Sequence, residues 1–129
     1  MSFPENLKYT KDHEWVRLEG NKAYIGITAH AQDQLGDVVF LELPESGTEV
    51  KAGDMFATIE SVKAVSDVYA PVSGTIVEVN ENLNDSPELV NNDPYNEGWM
   101  CAIELSDASE ADELMDSVAY AKMVEEGGE

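Results

Sequence analysis

The sequence predicts a mainly β, single-domain protein, and three observations carry that expectation. Apolar residues come in short alternating runs cut by Gly, Pro, Asn and Asp, the pattern of half-buried strands joined by tight turns. No long helical period fits before residue 106. At 129 residues the chain has the length of one compact domain with a core of its own, so 1–129 is read as a single unit. The longest apolar runs, such as Val38-Val39-Phe40-Leu41, are of strand length and far short of the roughly 18 to 20 residues of a membrane span.

The elements follow in order. Tyr9 and Trp15-Val16-Arg17-Leu18, a Glu19-Gly20-Asn21 turn and Ala23-Tyr24-Ile25-Gly26-Ile27 make an N-terminal hairpin. Thr28 is placed to cap a short helix over 29–35, and Gly36 ends it as the residue best able to take a left-handed conformation. A strand from Asp37 to Leu43 stops at Pro44, and Glu45-Ser46-Gly47 turns. From Thr48 to Val79 short strands are punctuated by Gly53-Asp54, Lys63-Ala64 and Ser73-Gly74. Ser86-Pro87 reads as an N-cap followed by proline at the first helical position, with Asn91-Asn92-Asp93-Pro94 ending that turn. Trp99 to Leu105 is the last strand.

Beyond it, Asp107 and Glu110 resemble a capping box, and Ala111, Leu114, Met115 and Val118 recur on one face of an amphipathic helix. Tyr120, Met123 and Val124 extend that face or begin a second helix capped by Ser117. The helical segment is placed at about 107–125, and the end Gly127-Gly128-Glu129 is expected to fray. A faint internal repeat also exists. Gly47-Thr48-Glu49-Val50 through Asp54 aligns, 27 residues on, with Gly74-Thr75-Ile76-Val77 through Glu81, keeping Gly, Thr, Val and a final acid.

Charge narrows the partners. The net charge is −20, with 11 acids and 6 bases over residues 1–63 but 16 acids and 1 base over residues 64–129. Such a field opposes phosphate neutralisation, so nucleic acid and anionic membranes are excluded as partners and basic protein surfaces are favoured. An acidic surface also favours a monomer. Cys101 is the sole cysteine, which rules out an internal disulfide, and in the alternation Trp99, Cys101, Ile103, Leu105 it reads as a core residue. His13 and His30 lie outside any metal-ligand spacing, so no metal is assigned, and no nucleophile sits in a recognisable turn motif. The start of the chain has neither an arginine-rich amphipathic stretch nor an apolar signal core, which leads to the expectation of a cytoplasmic protein.

One lysine stands out. Lys63, one of six, lies in Ile59-Glu60-Ser61-Val62-Lys63-Ala64-Val65-Ser66-Asp67 between two strand-like runs, with Gly47 sixteen residues before it, Gly74 eleven after it and Glu60 three before it. A lysine at a hairpin tip is, by itself, a solvated charge. Here Ser61, Ala64 and Ser66 are the small neighbours that a lysine presented to a modifying enzyme requires. The spacing resembles the lipoate-attachment hairpin of carrier domains. With Tyr69-Ala70-Pro71-Val72-Ser73-Gly74 after it, Glu60-Ser61-Val62-Lys63-Ala64 is similar to the H-protein family of the glycine cleavage system over nearly the whole chain. Biotin carriers flank their lysine with methionines, whereas Val62 and Ala64 stand here, so lipoate is favoured over biotin.

That resemblance implies a lipoyl-domain-like barrel-sandwich hybrid with a core at about 22–105, to which the N-terminal hairpin, the helix near 29–35 and the C-terminal helices are added. It implies a non-catalytic carrier with lipoate joined covalently to Lys63. The arm would take the aminomethyl group of glycine from a pyridoxal-phosphate glycine decarboxylase to a tetrahydrofolate-dependent aminomethyltransferase, and a flavin (FAD) dihydrolipoyl dehydrogenase would reoxidise it. Glu60 and Gly74 would serve recognition by the lipoate ligase or lipoyl/octanoyl transferase. A nitrogen–sulfur acetal decays in water, so a cleft with apolar walls and a carboxylate is useful to it. Glu14 stands at the position that the family uses for that carboxylate, and Asp67 is a second candidate. A lipoyl/octanoyl relay and a biotin carrier remain the alternatives at this point.

Overall fold

The computed structural model describes residues 3–126, and its architecture is two antiparallel sheets packed face to face, a lipoyl-domain-like barrel-sandwich that does not close into a barrel. The first sheet has six strands: β1 (Lys8–Tyr9), β2 (Glu14–Glu19), β3 (Lys22–Ile27), β5 (Glu49–Val50), β8 (Gly74–Val79) and β9 (Cys101–Leu105), in the order β1-β2-β3-β9-β8-β5. The second has three: β4 (Val38–Glu42), β6 (Met55–Ser61) and β7 (Val65–Tyr69), in the order β4-β6-β7. Alternation does the sorting, because Val16, Ile25, Ile27, Leu41, Ile59, Val68, Ile76 and Ile103 all turn into the space between the sheets. Cys101 is buried there, and burial pushes its thiol up to about 12.

The sequence repeat has a spatial counterpart. Glu49 and Val50 pair antiparallel with Thr75 and Gly74, and the Gly47 N–H donates to the Ile76 carbonyl at 2.6 Å. The two copies therefore lie side by side.

α1 (Ala29–Leu35) has the expected ends: Thr28 Oγ1 accepts from the Ala31 N–H, and Gly36 closes it at φ 77°. Elsewhere the expected boundaries move. The last strand begins at Cys101, not Trp99, because Trp99 turns outward onto Tyr24 while its carbonyl is bound by the Asn80 amide. A one-turn helix α2 (Asn82–Asp85) precedes the Ser86-Pro87 turn, and that turn leads into α3 (Leu89–Asn92), so Ser86 is not the N-cap itself. The Asp107–Glu110 capping box does not form. Asp107 caps through the Ser109 N–H, but Glu110 instead accepts from the Ser73 N–H and hydroxyl at 2.8 and 2.9 Å.

The continuous amphipathic helix from Ala111 to Val118 is also absent. A 3-10 helix over Ala108–Glu113 gives way to an extended stretch in which Met115 bridges to Tyr9, and α4 (Ser117–Glu125) starts afresh with Asp116, not Ser117, as its cap. The β-bridge captures Met115, so the face implied by Ala111, Leu114, Met115 and Val118 is split and Val118 is left exposed. α4 packs Tyr120 into a second apolar cluster with Phe3, Leu7, Tyr9 and Trp15, where the Tyr9 and Tyr120 rings stack at 4.7 Å. The end at Gly127-Gly128-Glu129 lies outside the described residues. No helix among the described residues is long and apolar enough to cross a membrane.

Candidate functional site

Lys63 stands at the tip of the β6–β7 hairpin, exposed, and the tip is built by local polar contacts. The Ser61 hydroxyl accepts from the Lys63 and Ala64 N–H groups at 3.2 and 3.1 Å, while the Ser61 N–H donates to the Ala64 carbonyl at 2.8 Å. A serine side chain that takes two backbone donors fixes the turn without bulk. The tip does not stand free of the body. The Val62 N–H donates to the Asp37 carbonyl at 3.0 Å, and the lysine stem lies over Gly36, where a side-chain Cβ would come within 2.9 Å of Lys63 Cε.

Asn91 holds that shelf in place. Its amide donates to the Gly36 carbonyl at 2.8 Å and to Gln32 Oε1 at 3.1 Å, and its oxygen accepts from the Val38 N–H at 2.9 Å. In the sequence, Asn91 reads only as a turn residue. Its position six residues after one-turn helix α2 carries no signal that it reaches across to α1.

Beside the shelf lies a cleft of about 180 Å³. Ile27, Ala31, Leu35, Ile59 and Val68 give it apolar walls, and Glu14 lies in its floor. Glu14 is 2% exposed, yet it keeps two donors: the Thr10 hydroxyl at 2.7 Å to Oε1 and the Tyr69 N–H at 3.2 Å to Oε2. Through the second it closes the free edge of β7, so a β2 side chain from one sheet completes the edge of the other. Burial raises its carboxyl from the ordinary 4.5 to about 7, against the lowering effect of those two hydrogen bonds. A carboxyl tuned this way is half ionised near neutral pH and gains charge when a cation arrives.

The turn that presents Glu14 is tightly held. The Thr10 hydroxyl also accepts from the Asp12 and Glu14 N–H groups, and His13 takes a left-handed backbone at φ 70°, unusual for a side-chain-bearing residue. His13 lines the cleft, as do Gln34 and Ser66, and none of the three was singled out from sequence as a site residue. The register does show where Asp67 belongs. It pairs with Thr58 and so faces the outer side of the three-stranded sheet, exposed, and meets the cleft only at its rim.

Glu60 is half-buried and lies between Phe40 and Val65 in the cross-strand row nearest the tip. Gly74 is in the other sheet and opens β8, where a Cβ would fall on the Glu104 carbonyl oxygen of β9. The structure therefore brings Lys63, Glu60 and the Glu14 cleft to one region around the hairpin and puts Gly74 at a sheet junction. Among the described residues no group of three or more His, Cys, Asp or Glu is placed to hold a metal ion.

The site as built can present one amine at an exposed tip, lay a flexible chain across a glycine shelf and receive a cation in an apolar cleft. The family described as "Glycine cleavage H-protein" matches residues 7–127. The glycine cleavage system H protein of Brevibacillus brevis is 58% identical over 126 residues, covering 98% of this chain and all of that one. The probable glycine cleavage system H protein of Haloarcula marismortui is 57% identical over 127 residues, 97% of this chain and all of that one. The crystal structure of a glycine cleavage system H protein from Mycobacterium marinum superposes with a TM-score of 0.88 at 39% identity, covering 95% of this chain and 99% of that one. Neither the biotin-carrier nor the relay alternative is favoured by these likenesses.

Proposed function

Because this chain belongs to the glycine cleavage H-protein family and is a lipoyl carrier of the glycine cleavage system, we propose that Lys63 is its attachment point and that Glu14 and the cleft shelter what the arm carries. The observation that supports this best is the run of the lysine stem over Gly36, next to Gln34 and Leu35, which line the cleft. The residues fit lipoate: an exposed amine takes the acyl group, and an apolar cleft beside it accepts a hydrocarbon chain. When bound, lipoate would supply a dithiolane that accepts an aminomethyl group as it is reduced.

The chain's own residues then do three things. Ile27, Ala31, Leu35, Ile59 and Val68 exclude water, which slows loss of an amine from carbon. Glu14 holds a cationic amine, its carboxyl ionising as the cation enters, with Thr10 and the Tyr69 N–H sharing its charge. Asp67, at the rim, draws the cation toward the opening. Glu60 serves recognition by the lipoate ligase or lipoyl/octanoyl transferase, and Gly74 serves it indirectly, by letting β8 close against β9.

In this reading the protein makes no bonds itself. Glycine decarboxylase, aminomethyltransferase and dihydrolipoyl dehydrogenase act in turn on the arm, in the cytoplasm, with the carrier a monomer. The test is intact mass and peptide mapping after incubation with lipoate, ATP and a lipoate ligase. One lipoyl increment on the peptide bearing Lys63 is the expected result. Biotin at Lys63, or a lipoyl group on another lysine, overturns it.

A further inference from the structure

Eight large apolar side chains stand exposed among the described residues, and six of them lie on the three-stranded sheet or its tip: Val39, Phe40, Met55, Val62, Val65 and Tyr69. A β-bulge is the cause in β4. Val38 pairs with Ser61 and Phe40 with Glu60, so Val39 is an extra residue, and both it and Phe40 face outward while Val38 and Leu41 face the core. Strict alternation would have turned Phe40 inward. Exposed Phe40 and Val65 then flank half-buried Glu60 in one row across all three strands beside the tip.

The charges of this face have one sign. β4, β6 and β7 contribute Glu42, Glu60 and Asp67, and the only base on these strands or the tip is Lys63. On its other side the tip is closed by Asp37 and Gly36, so the lysine amine is approached from the outer face or end-on. An exposed apolar patch with an acidic rim suits a partner surface that is apolar at its centre and cationic at its edge.

We propose that this face docks the enzyme that acylates Lys63, and that the enzyme meets it with an apolar patch rimmed by Lys or Arg. The proposal rests on Lys63 being the attachment point. It favours the acylating enzyme over the others because that enzyme alone must bring its reacting carbon to the amine itself and so must cover the surface around it. The others meet the far end of a long arm. In the step, the neutral Lys63 amine attacks the carbonyl of an activated acyl donor, an adenylate or thioester. An amide bond forms, the bond to the leaving group breaks, and the amine proton passes to that group or to water.

The test is the kinetics of Lys63 acylation, by intact mass, with purified lipoate ligase, ATP and lipoate. The double variant Phe40→Ser/Val65→Ser is expected to raise KM for the carrier about tenfold or more with kcat little changed. Glu60→Lys is expected to raise KM as well, by a factor that shrinks as salt is added. Leu18→Ser/Val118→Ser, which removes two exposed apolar groups elsewhere, should keep the parental KM. Parental kinetics in Phe40→Ser/Val65→Ser, or equal loss in the Leu18/Val118 control, overturns the proposal. So does a parental dimer in sedimentation equilibrium that the Phe40/Val65 variant dissociates, since a second copy would then own the face. If the parent itself is never acylated at Lys63, the reading of the lysine fails, and this proposal with it.

Discussion

The Tyr120 hydroxyl lies 2.7 Å from His13 Nδ1 and 2.7 Å from Thr28 Oγ1. His13 belongs to the turn that presents Glu14, and Thr28 caps the helix that carries Ala31 and Leu35, so one atom of α4 joins both walls of the cleft. Burial pushes this phenol up to about 12, which keeps its hydroxyl proton in place across the working range. The C-terminal helix is thereby part of the cleft's support as well as a cover for the Tyr9–Trp15 cluster.

Tyr120→Phe keeps the ring and its stack on Tyr9 but removes both hydrogen bonds. Losing the hydroxyl's contacts to buried Thr28 and half-buried His13 costs about 1–3 kcal/mol, so a thermal melt should fall by several degrees with the fold retained. The more telling readout is the Glu14 carboxyl followed by carbon NMR. Its midpoint should drop from about 7 toward 4.5, because a loosened turn admits water to the carboxyl. An unchanged midpoint would confine Tyr120 to a packing role.

Glu14→Gln should change the pH dependence of stability. The folded carboxyl titrates near 7 and the unfolded one near 4.5, so the folded state holds the proton more tightly. The contribution of this group is therefore fully present below pH 4.5 and is lost as pH rises through 7, a swing on the order of 3 kcal/mol. Glutamine has no proton to lose. Urea melts at pH 4.5 and pH 8 should show the variant gaining on the parent at the higher pH, and parallel curves would contradict the raised titration. In the loaded carrier the same substitution should hasten release of ammonia, with the parent's advantage shrinking as pH falls and the carboxyl takes up its proton.

Lys63→Ala should abolish acylation and leave the melting temperature within about a degree or two, since an exposed tip contributes within roughly 0.5 kcal/mol. A mass increment on this variant would show that another lysine is the attachment point.

Gly74→Ala should behave differently. The added Cβ meets the Glu104 carbonyl, which belongs to the β9 backbone and cannot turn aside, so the β8–β9 pairing must shift at a cost of about 1–3 kcal/mol or more. Chemical denaturation measures this. Acylation of the folded fraction, scored under stabilising conditions, should match the parent; a loss specific to acylation would give Gly74 a direct part in recognition.

The sequence by itself determined the class of fold, the hairpin, the first helix with both its caps, and the exposed tip that carries Lys63, because each is encoded locally: alternation with period two, Thr28 before a helix, Gly36 after it, small residues around Lys63. It also held Glu14, though only through likeness to a family, since nothing in Asp12-His13-Glu14-Trp15 tells a buried carboxyl from a solvated one. What the tertiary structure decided is whatever depends on residues far apart in the chain. Val38-Val39-Phe40-Leu41 reads only as an apolar run of strand length, and its register against β6, with one residue bulged, is what turns Phe40 out to solvent. The C-terminal helical period was real on paper, yet Met115 gained more by bridging to Tyr9 and Glu110 by reaching Ser73 than either did in a continuous helix. Nor could spacing show that the titration of Glu14 is raised by burial, against the pull of the Thr10 hydroxyl and the Tyr69 N–H, because burial is a property of the packed sheets and not of any short stretch of chain.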